Sequence, residues 1–430
     1  MLSAAAYPNS YYAATSRYPL LFEHLEGQRH ADVCIIGAGF SGINTAIELA
    51  ERGLSVIVLE AKRIGWGASG RNGGQLIRGV GHDLAPFRNR IGEDGIAYLE
   101  KAGLESVKIV AQRIEQHAID CDLRWGFAEL AHNRKHLRAL EAEQEHLIRL
   151  GSPGVRLIGA RHMAEIVDSQ RYCGALLDPN SGHLHPLNLA LGEAQVARQL
   201  GVRLYENSPA LSIRHGEPAL ITCPNGQVTA DSLVLAGNAY LGELEPWLSS
   251  RVLPAGSYIV ATEPLDPTLA QRLIPHNLAL CDMRLALDYY RLSADNRLLF
   301  GGACHYSGRD PKNIERYMRP KMLRVFPQLE GIRLDYHWGG LIDIGANRFP
   351  QIGQLPGHPN AFYAQGYSGH GLNVTHLLAR LLGEVITERA SRGFEVFNRV
   401  QHRAFPGGRT FRSPLLALGM LWYRIREVLG

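Results

Sequence analysis

Three glycines spaced as Gly37-x-Gly39-x-x-Gly42 are the residues whose spacing most directly implies chemistry. Residues 32–36 before them read as a β run. Residues 43–52 after them read as a helix, with Ile43, Ala46, Ile47 and Ala50 at helical spacing and Gly53 as its stop. A second β run over residues 54–59 ends at Glu60, eighteen residues past Gly42. In such a unit Gly37 makes a tight turn, Gly39 lets the backbone approach a pyrophosphate, and Gly42 lets the helix pack close on the strand. Phe40 and Ser41 open the helix, whose free N–H groups and dipole favour phosphate. Glu60 is placed to accept hydrogen bonds from ribose hydroxyls. The expected ligand is a dinucleotide.

The glycine motif alone does not separate FAD from NAD. Three further segments point to FAD. Residues 67–75, including Ala68, Ser69, Asn72, Gly73, Gly74 and Gln75, offer many backbone donors beside the first unit. Residues 228–239 read as a strand running into a small-residue turn at Ala236 and Gly237. Residues 363–371 end in Gly369-His370-Gly371 just before Leu372 and the last long helix. Backbone N–H groups there can meet a flat ligand, and the helix dipole favours negative charge on it as it is reduced.

The elements that must hold these residues follow from periodicity. Residues 91–150 read as mostly helical, and another helix is expected near 187–200. Residues 202–205, 219–223 and 233–236 are strand-like, with a hairpin turn at 224–227. Beyond residue 251 the β segments lengthen: 257–262, a hairpin of 287–292 with 297–300, and 336–341. Residues 374–389 form an amphipathic helix. The first thirty residues read as an irregular leader packed on the surface of the body.

Composition narrows the class. The chain has 430 residues, 46% hydrophobic and 20% charged, with a net charge of +4. That supports more than one core and gives no clustered basic face for nucleic acid. No secretory pattern opens the sequence, and no apolar run reaches the length of a membrane span. The cytoplasm is the expected compartment. The apolar stretch 415–422, between Arg412 and Arg424, is either a packing segment or a peripheral membrane contact. The six cysteines, without a C-x-x-C pair, read as buried free thiols. His183-x-His185 lacks a third ligand, so no metal is expected. Asp282 and Asp288 read as solvated.

Taken together, these segments resemble the D-amino-acid-oxidase-type flavoprotein superfamily, which includes glycine and sarcosine oxidases. Within it they are most similar to the γ-glutamylputrescine oxidase group. The likeness rests on residues 10–14 (SYYAA), 68–75 (ASGRNGGQ), 182–190 (GHLHPLNLA), 236–242 (AGNAYLG), 287–292 (LDYYRL), 365–371 (QGYSGHG) and 405–410 (FPGGRT).

The resemblance implies an α/β plus α+β fold, with a Rossmann-type FAD-binding domain interleaved with a β-sheet substrate domain. The FAD domain would gather 30–105, 185–250 and 345–390, and the substrate domain 106–184 and 251–344. Residues 1–29 and 391–430 would pack on the body. The cofactor set gains Ala61 and Ala210. The implied reaction oxidises the primary amine at the end of γ-glutamylputrescine. The imine hydrolyses to an aldehyde and ammonia, and dioxygen leaves as hydrogen peroxide.

Such a reaction needs a neutral amine in a dry, aromatic pocket. Tyr290, Tyr367 and His370 are the catalytic candidates, and Tyr289, Trp338 and Arg291 the substrate candidates. Each aromatic is alternatively a core or cofactor-stacking residue. Glycine-oxidase-like enzymes hold a substrate carboxylate with an arginine where this chain has Ile342, so a simple α-amino acid fits poorly. Arg291 and Arg348 are candidates for a distant carboxylate or for surface ion pairs. No cysteine follows Cys304, which implies noncovalent FAD. Asn373 either caps the last helix or touches the flavin. Two rival readings remain: an amine dehydrogenase passing electrons to a quinone, and a flavin-binding partner protein without turnover. The oligomeric state is not legible.

Overall fold

The computed structural model describes residues 6–284, 287–305, 311–388 and 390–406. The apolar stretch 415–422 and most of 405–410 lie outside these residues, as does the side chain of Cys304.

The run Val33, Cys34, Ile35, Ile36 is apolar on both faces, as a strand needs to be when both sides are covered. It ends Gly27–Ile36, a central strand of an eight-stranded sheet. Gly226–Leu235 and Val56–Leu59 flank it in parallel. His358–Gln365 and Arg203–Tyr205 continue the parallel set outward, and Gln351–Leu355 closes one edge antiparallel. The helix Phe40–Glu51 packs against Pro186–Gln199 and Leu372–Glu388. Their buried faces share one core with Ile35, Ile43, Ile47 and Leu378.

A second sheet has nine strands, mostly antiparallel. Its order runs Leu334–Gly345, Val252–Thr262, Leu298–His305, Asp288–Leu292, Ala279–Asp282, Arg124–Ala131, Gly174–His183, Gln75–Leu76. Arg156–Gly159 pairs with Gly174–His183 off this path. The helix Ile314–Val325 packs against it, over a core of Tyr258, Tyr290, Phe300 and Phe326.

Several elements exceed or depart from the sequence reading. The strands over 32–36, 233–236 and 257–262 are longer, because ladder partners extend along them. The expected helical stretch 91–150 is broken. Arg88–Gln116 and Arg134–Arg149 are helices, but Arg124–Ala131 between them is a strand. It is held by pairing on both sides, to Gly174–His183 and Ala279–Asp282, a tertiary effect that local propensity does not carry. The leader is irregular and mostly at the surface, with one buried anchor. Its short helix Tyr11–Ala14 drives Tyr12 to 0% exposure, edge-on to Trp338 at 5.2 Å. The five described cysteines, Cys34, Cys121, Cys173, Cys223 and Cys281, are free thiols.

Candidate active site

The turn after the first strand explains its glycines. Gly37 has φ +105, and a Cβ there would lie 2.7 Å from the Ala236 carbonyl oxygen. At Gly42 a Cβ would come 1.8 Å from the Gly37 oxygen. Neither position admits a side chain. The helix Phe40–Glu51 begins here with N–H groups that lack intrahelical partners. Ser69 Oγ accepts the Phe40 N–H at 2.8 Å, and Glu60 accepts those of Ala38 and Lys62 at 2.9 and 2.8 Å. Burial raises the Glu60 carboxyl, and these backbone donors oppose the rise.

A cavity of about 690 Å³ opens beside this turn, between the two sheets. The loop 67–73 forms one wall. Asn72 shapes it by donating to the Ala68 and Ser69 carbonyls, both at 2.9 Å, while its own oxygen accepts the Gly74 N–H at 2.7 Å. The turn 366–371 forms another wall, with Gly366, Ser368 and Gly369 all at positive φ. Asp343 braces that turn: its carboxylate accepts the Gly366 N–H and its carbonyl accepts that of Ser368. Ser41 and Tyr367 share a hydrogen bond of 2.6 Å, which joins the glycine-motif helix to the same turn. The nine-stranded sheet supplies the roof through Tyr289, Leu341 and Ile342.

Most of the residues singled out in the sequence meet at this cavity. Gly37, Gly39, Phe40, Ser41, Glu60, Ala61 and Ala210 line it on one side. Ala68, Ser69, Asn72, Gly73 and Gln75 line it from the loop, and Ala236 and Gly237 from the adjoining turn. Tyr367, Gly369, His370, Gly371 and Leu372 face it from the far end, and Tyr289 from the roof. Gly42 and Gly74 stand behind the walls, where they permit close backbone packing.

Three candidates are placed elsewhere. Tyr290, expected as catalytic, points to the opposite face of its strand, as the alternation from Tyr289 requires. It is 1% exposed, donates to the Tyr172 hydroxyl at 2.9 Å and stacks on Phe300. Trp338, expected at the substrate, shares the inward face of its strand with Gly340 and Ile342 but lies beyond the end of the cavity, and donates to the Arg71 carbonyl at 3.0 Å. Arg291, also expected there, is a buried clamp. It donates to the Gly73 and Leu184 carbonyls at 2.8 Å and to the Tyr12 hydroxyl at 3.1 Å. It faces a separate cavity of about 180 Å³ beside His183 and His185. Asp282 and Asp288, read as solvated, are buried and bridged by Arg284. Asn373 lies inside its helix rather than at the cap; it lines the cavity, while its amide donates to the Gly79 carbonyl and Ser106 hydroxyl.

The cavity walls also bring in Trp66, Arg71, His82, Asn238, Tyr240 and Asp343, and with them Arg348, one of the two arginines considered for a distant carboxylate. Arg71 and Asn238 stand inside segments already quoted, but nothing in their spacing marks their side chains as wall residues. Asp343 looks like any polar strand residue until its turn partner is known.

The electrostatics favour neutral groups. Burial, and then the charge of His82, pushes the His370 imidazole down to about 4, so it is uncharged near neutrality. Burial raises the Asp343 carboxyl to about 7 and holds the Tyr367 phenol well above its ordinary range. The volume, the glycine cradle and the helix start fit FAD bound along the cavity.

Comparison with known proteins agrees. The family described as DAO, FAD dependent oxidoreductase, matches residues 32–385. The γ-glutamylputrescine oxidoreductase of Escherichia coli K12 is 45% identical, covering 98% of this chain and 99% of its own. An oxidoreductase of Haemophilus influenzae is 39% identical over 97% of both chains. Glycine oxidase from Geobacillus kaustophilus superposes with a TM-score of 0.71 at 22% identity, over 87% of this chain and 100% of that one. With the glycine turn, the second sheet as roof and a family match across most of its length, this chain belongs to the DAO family of FAD-dependent oxidoreductases, enzymes that act on amines.

Proposed function

We propose that the enzyme oxidises the terminal primary amine of γ-glutamylputrescine, or of a related γ-glutamylated amine. The products are an aldehyde, ammonia and hydrogen peroxide, with dioxygen as electron acceptor and water consumed in imine hydrolysis. The observation that carries this reading is the end-to-end likeness to the E. coli enzyme named for that compound.

FAD, held noncovalently, supplies the two-electron acceptor when bound. The two sheets are the cores of the two interleaved domains. Gly37, Gly39, Phe40 and Ser41 hold the pyrophosphate, Glu60 and Ala210 the adenosine end, and Ala68, Ser69, Asn72, Gly73, Gly74 and Gln75 with the turn 369–372 the flavin. Tyr289, Leu341 and Ile342 cover the substrate. An apolar roof lowers the pKa of an incoming amine and so favours its reactive neutral form. His370 and Tyr367, both neutral, orient the amine without adding charge. Ile342 lies against the 366–371 turn, its Cδ1 3.9 Å from where a Gly369 Cβ would stand. A substrate carboxylate directly beside the reacting carbon therefore meets a hydrocarbon wall.

The test is anaerobic mixing of the FAD-loaded enzyme with amines, followed by air. Bleaching of the visible flavin band by γ-glutamylputrescine but not by putrescine or glycine, with peroxide after aeration, is expected. Retention of the yellow colour with every γ-glutamylated amine overturns the substrate assignment.

A further inference from the structure

Arg71, a cation on the cavity wall along with Lys62 and Arg348, has no counter-charge among the described residues. Arg71 leaves the loop 67–73 and lays its guanidinium over Trp66, 4.4 Å from the ring centroid. It donates to the Gly67 carbonyl at 3.2 Å, the Gly339 carbonyl at 3.0 Å and the Tyr240 hydroxyl at 2.5 Å. All three acceptors are neutral, and an arginine has five N–H groups to give. Several arginines with little exposure are instead neutralised directly, as Arg63 is by Glu206, Arg78 by Asp178 and Arg113 by Glu48, although the buried Arg291 also meets neutral acceptors. Gly340 lies directly beside Arg71, where a Cβ would stand 3.4 Å from Arg71 Nε.

A second polar group on the same wall has an atom without a partner among the described residues. Asn238 shares the short turn Asn238–Tyr240 with the tyrosine that Arg71 contacts. It lines the cavity, and its side-chain oxygen is buried without a hydrogen bond. A guanidinium that presents spare N–H groups and an amide oxygen that needs a donor complement a zwitterion. The roof strand sets the distance. Gly340 and Ile342 lie on one face, two residues or about 7 Å apart. Ile342 makes the apolar wall at the 366–371 turn, so Arg71, beside Gly340, stands about 7 Å along the strand from it.

We propose that Arg71, Trp66, Tyr240 and Asn238 form a subsite for an α-amino-acid head group. Arg71 receives its carboxylate and the Asn238 oxygen its ammonium. The assignment rests on the γ-glutamylated-amine reading above. In γ-glutamylputrescine the carboxylate is about nine bonds from the reacting carbon, the reach of three extended residues or roughly 10 Å. A ligand of that length spans from the apolar wall to Arg71, whereas an α-amino acid cannot touch both.

The experiment follows anaerobic flavin bleaching as a function of ligand concentration for γ-glutamylputrescine, its α-carboxylate methyl ester, and N-acetylputrescine. With wild-type enzyme the ester should raise the half-saturating concentration about 10–100-fold, the worth of a charge-assisted pair. Arg71→Met should raise it by a similar factor for γ-glutamylputrescine, leave the ester and N-acetylputrescine nearly unchanged, and shift the limiting rate little. Arg71→Gln keeps a polar side chain near Gly339 and Tyr240, and replaces the methionine variant if that one fails to retain FAD. Equal losses for all three ligands, or no ester penalty in the wild type, overturn the subsite while leaving the substrate reading intact. If γ-glutamylputrescine never bleaches the wild type, the reading fails and the subsite falls with it.

Discussion

Single side chains separate the roles of neighbours here. Tyr289 and Tyr290 are adjacent, yet only Tyr289 faces the cavity. Tyr290→Phe should leave the rate of flavin reduction unchanged and cost about 1 kcal/mol of stability, the value of its bond to Tyr172. A large fall in that rate, with stability intact, would return Tyr290 to the site. Asp343 has a pH signature. Its carboxyl sits at about 7 in the folded protein against an ordinary 3.8, because burial disfavours the charge. The folded chain keeps this proton where the unfolded chain has released it. The group's stabilisation is therefore full below the ordinary value and is lost as pH rises through the folded one. Asp343→Asn cannot lose that proton. The melting temperature of the wild type should fall relative to the variant as pH climbs across that window; a constant difference would contradict the assignment.

Elements divide into those that local pattern reveals and those that it hides. The strand–turn–helix–strand unit was legible because each part has a local cause: apolar residues at Val33–Ile36, glycines where no Cβ fits, and a helical stripe from Ile43. The hairpins at 224–227 and 293–296 were legible too, with Asn296 at positive φ as its turn demands. Arg124–Ala131 was not, since its strand character comes from two partners distant in sequence. The same divide runs through the site. Backbone-defined positions such as Gly37, Gly73 and Gly369 were readable from composition. The direction of Tyr290 depended on which face the second sheet turns inward, whereas Trp338 and Arg291 are on that face but beyond the reach of the cavity along their strands. The glycine turn gives the sharpest element-scale prediction. Gly42→Ala places a carbon against the Gly37 oxygen, so the helix must move off the strand. The variant should be purified without flavin colour or fail to fold, and a fully FAD-loaded, stable variant would disprove the packing argument.

At the scale of the whole molecule, the leader ties the second sheet to the loop 67–73. Tyr12 is fully buried, meets Trp338 of the second sheet edge-on, and accepts a hydrogen bond from Arg291, which also grips the Gly73 carbonyl. Tyr12→Ala should cost about 3–5 kcal/mol, like other large aromatic deletions from a core. It should also loosen the loop 67–73, read as weaker FAD retention in equilibrium dialysis. Unchanged denaturation and FAD affinity would show the leader to be an ornament.

The interleaving of the two sheets has a consequence for biosynthesis. Gly27–Ile36 emerges early but its neighbour Gly226–Leu235 is some two hundred residues later in the chain, and His358–Gln365 later still. At ordinary translation speeds of 5–20 residues per second, the first strand waits roughly 10–40 s for that neighbour. During that interval its apolar ladder edge has no native cover on one side, a template for pairing with other nascent chains. The nascent polypeptide is thus a natural client for ribosome-associated chaperones until the last strand is released.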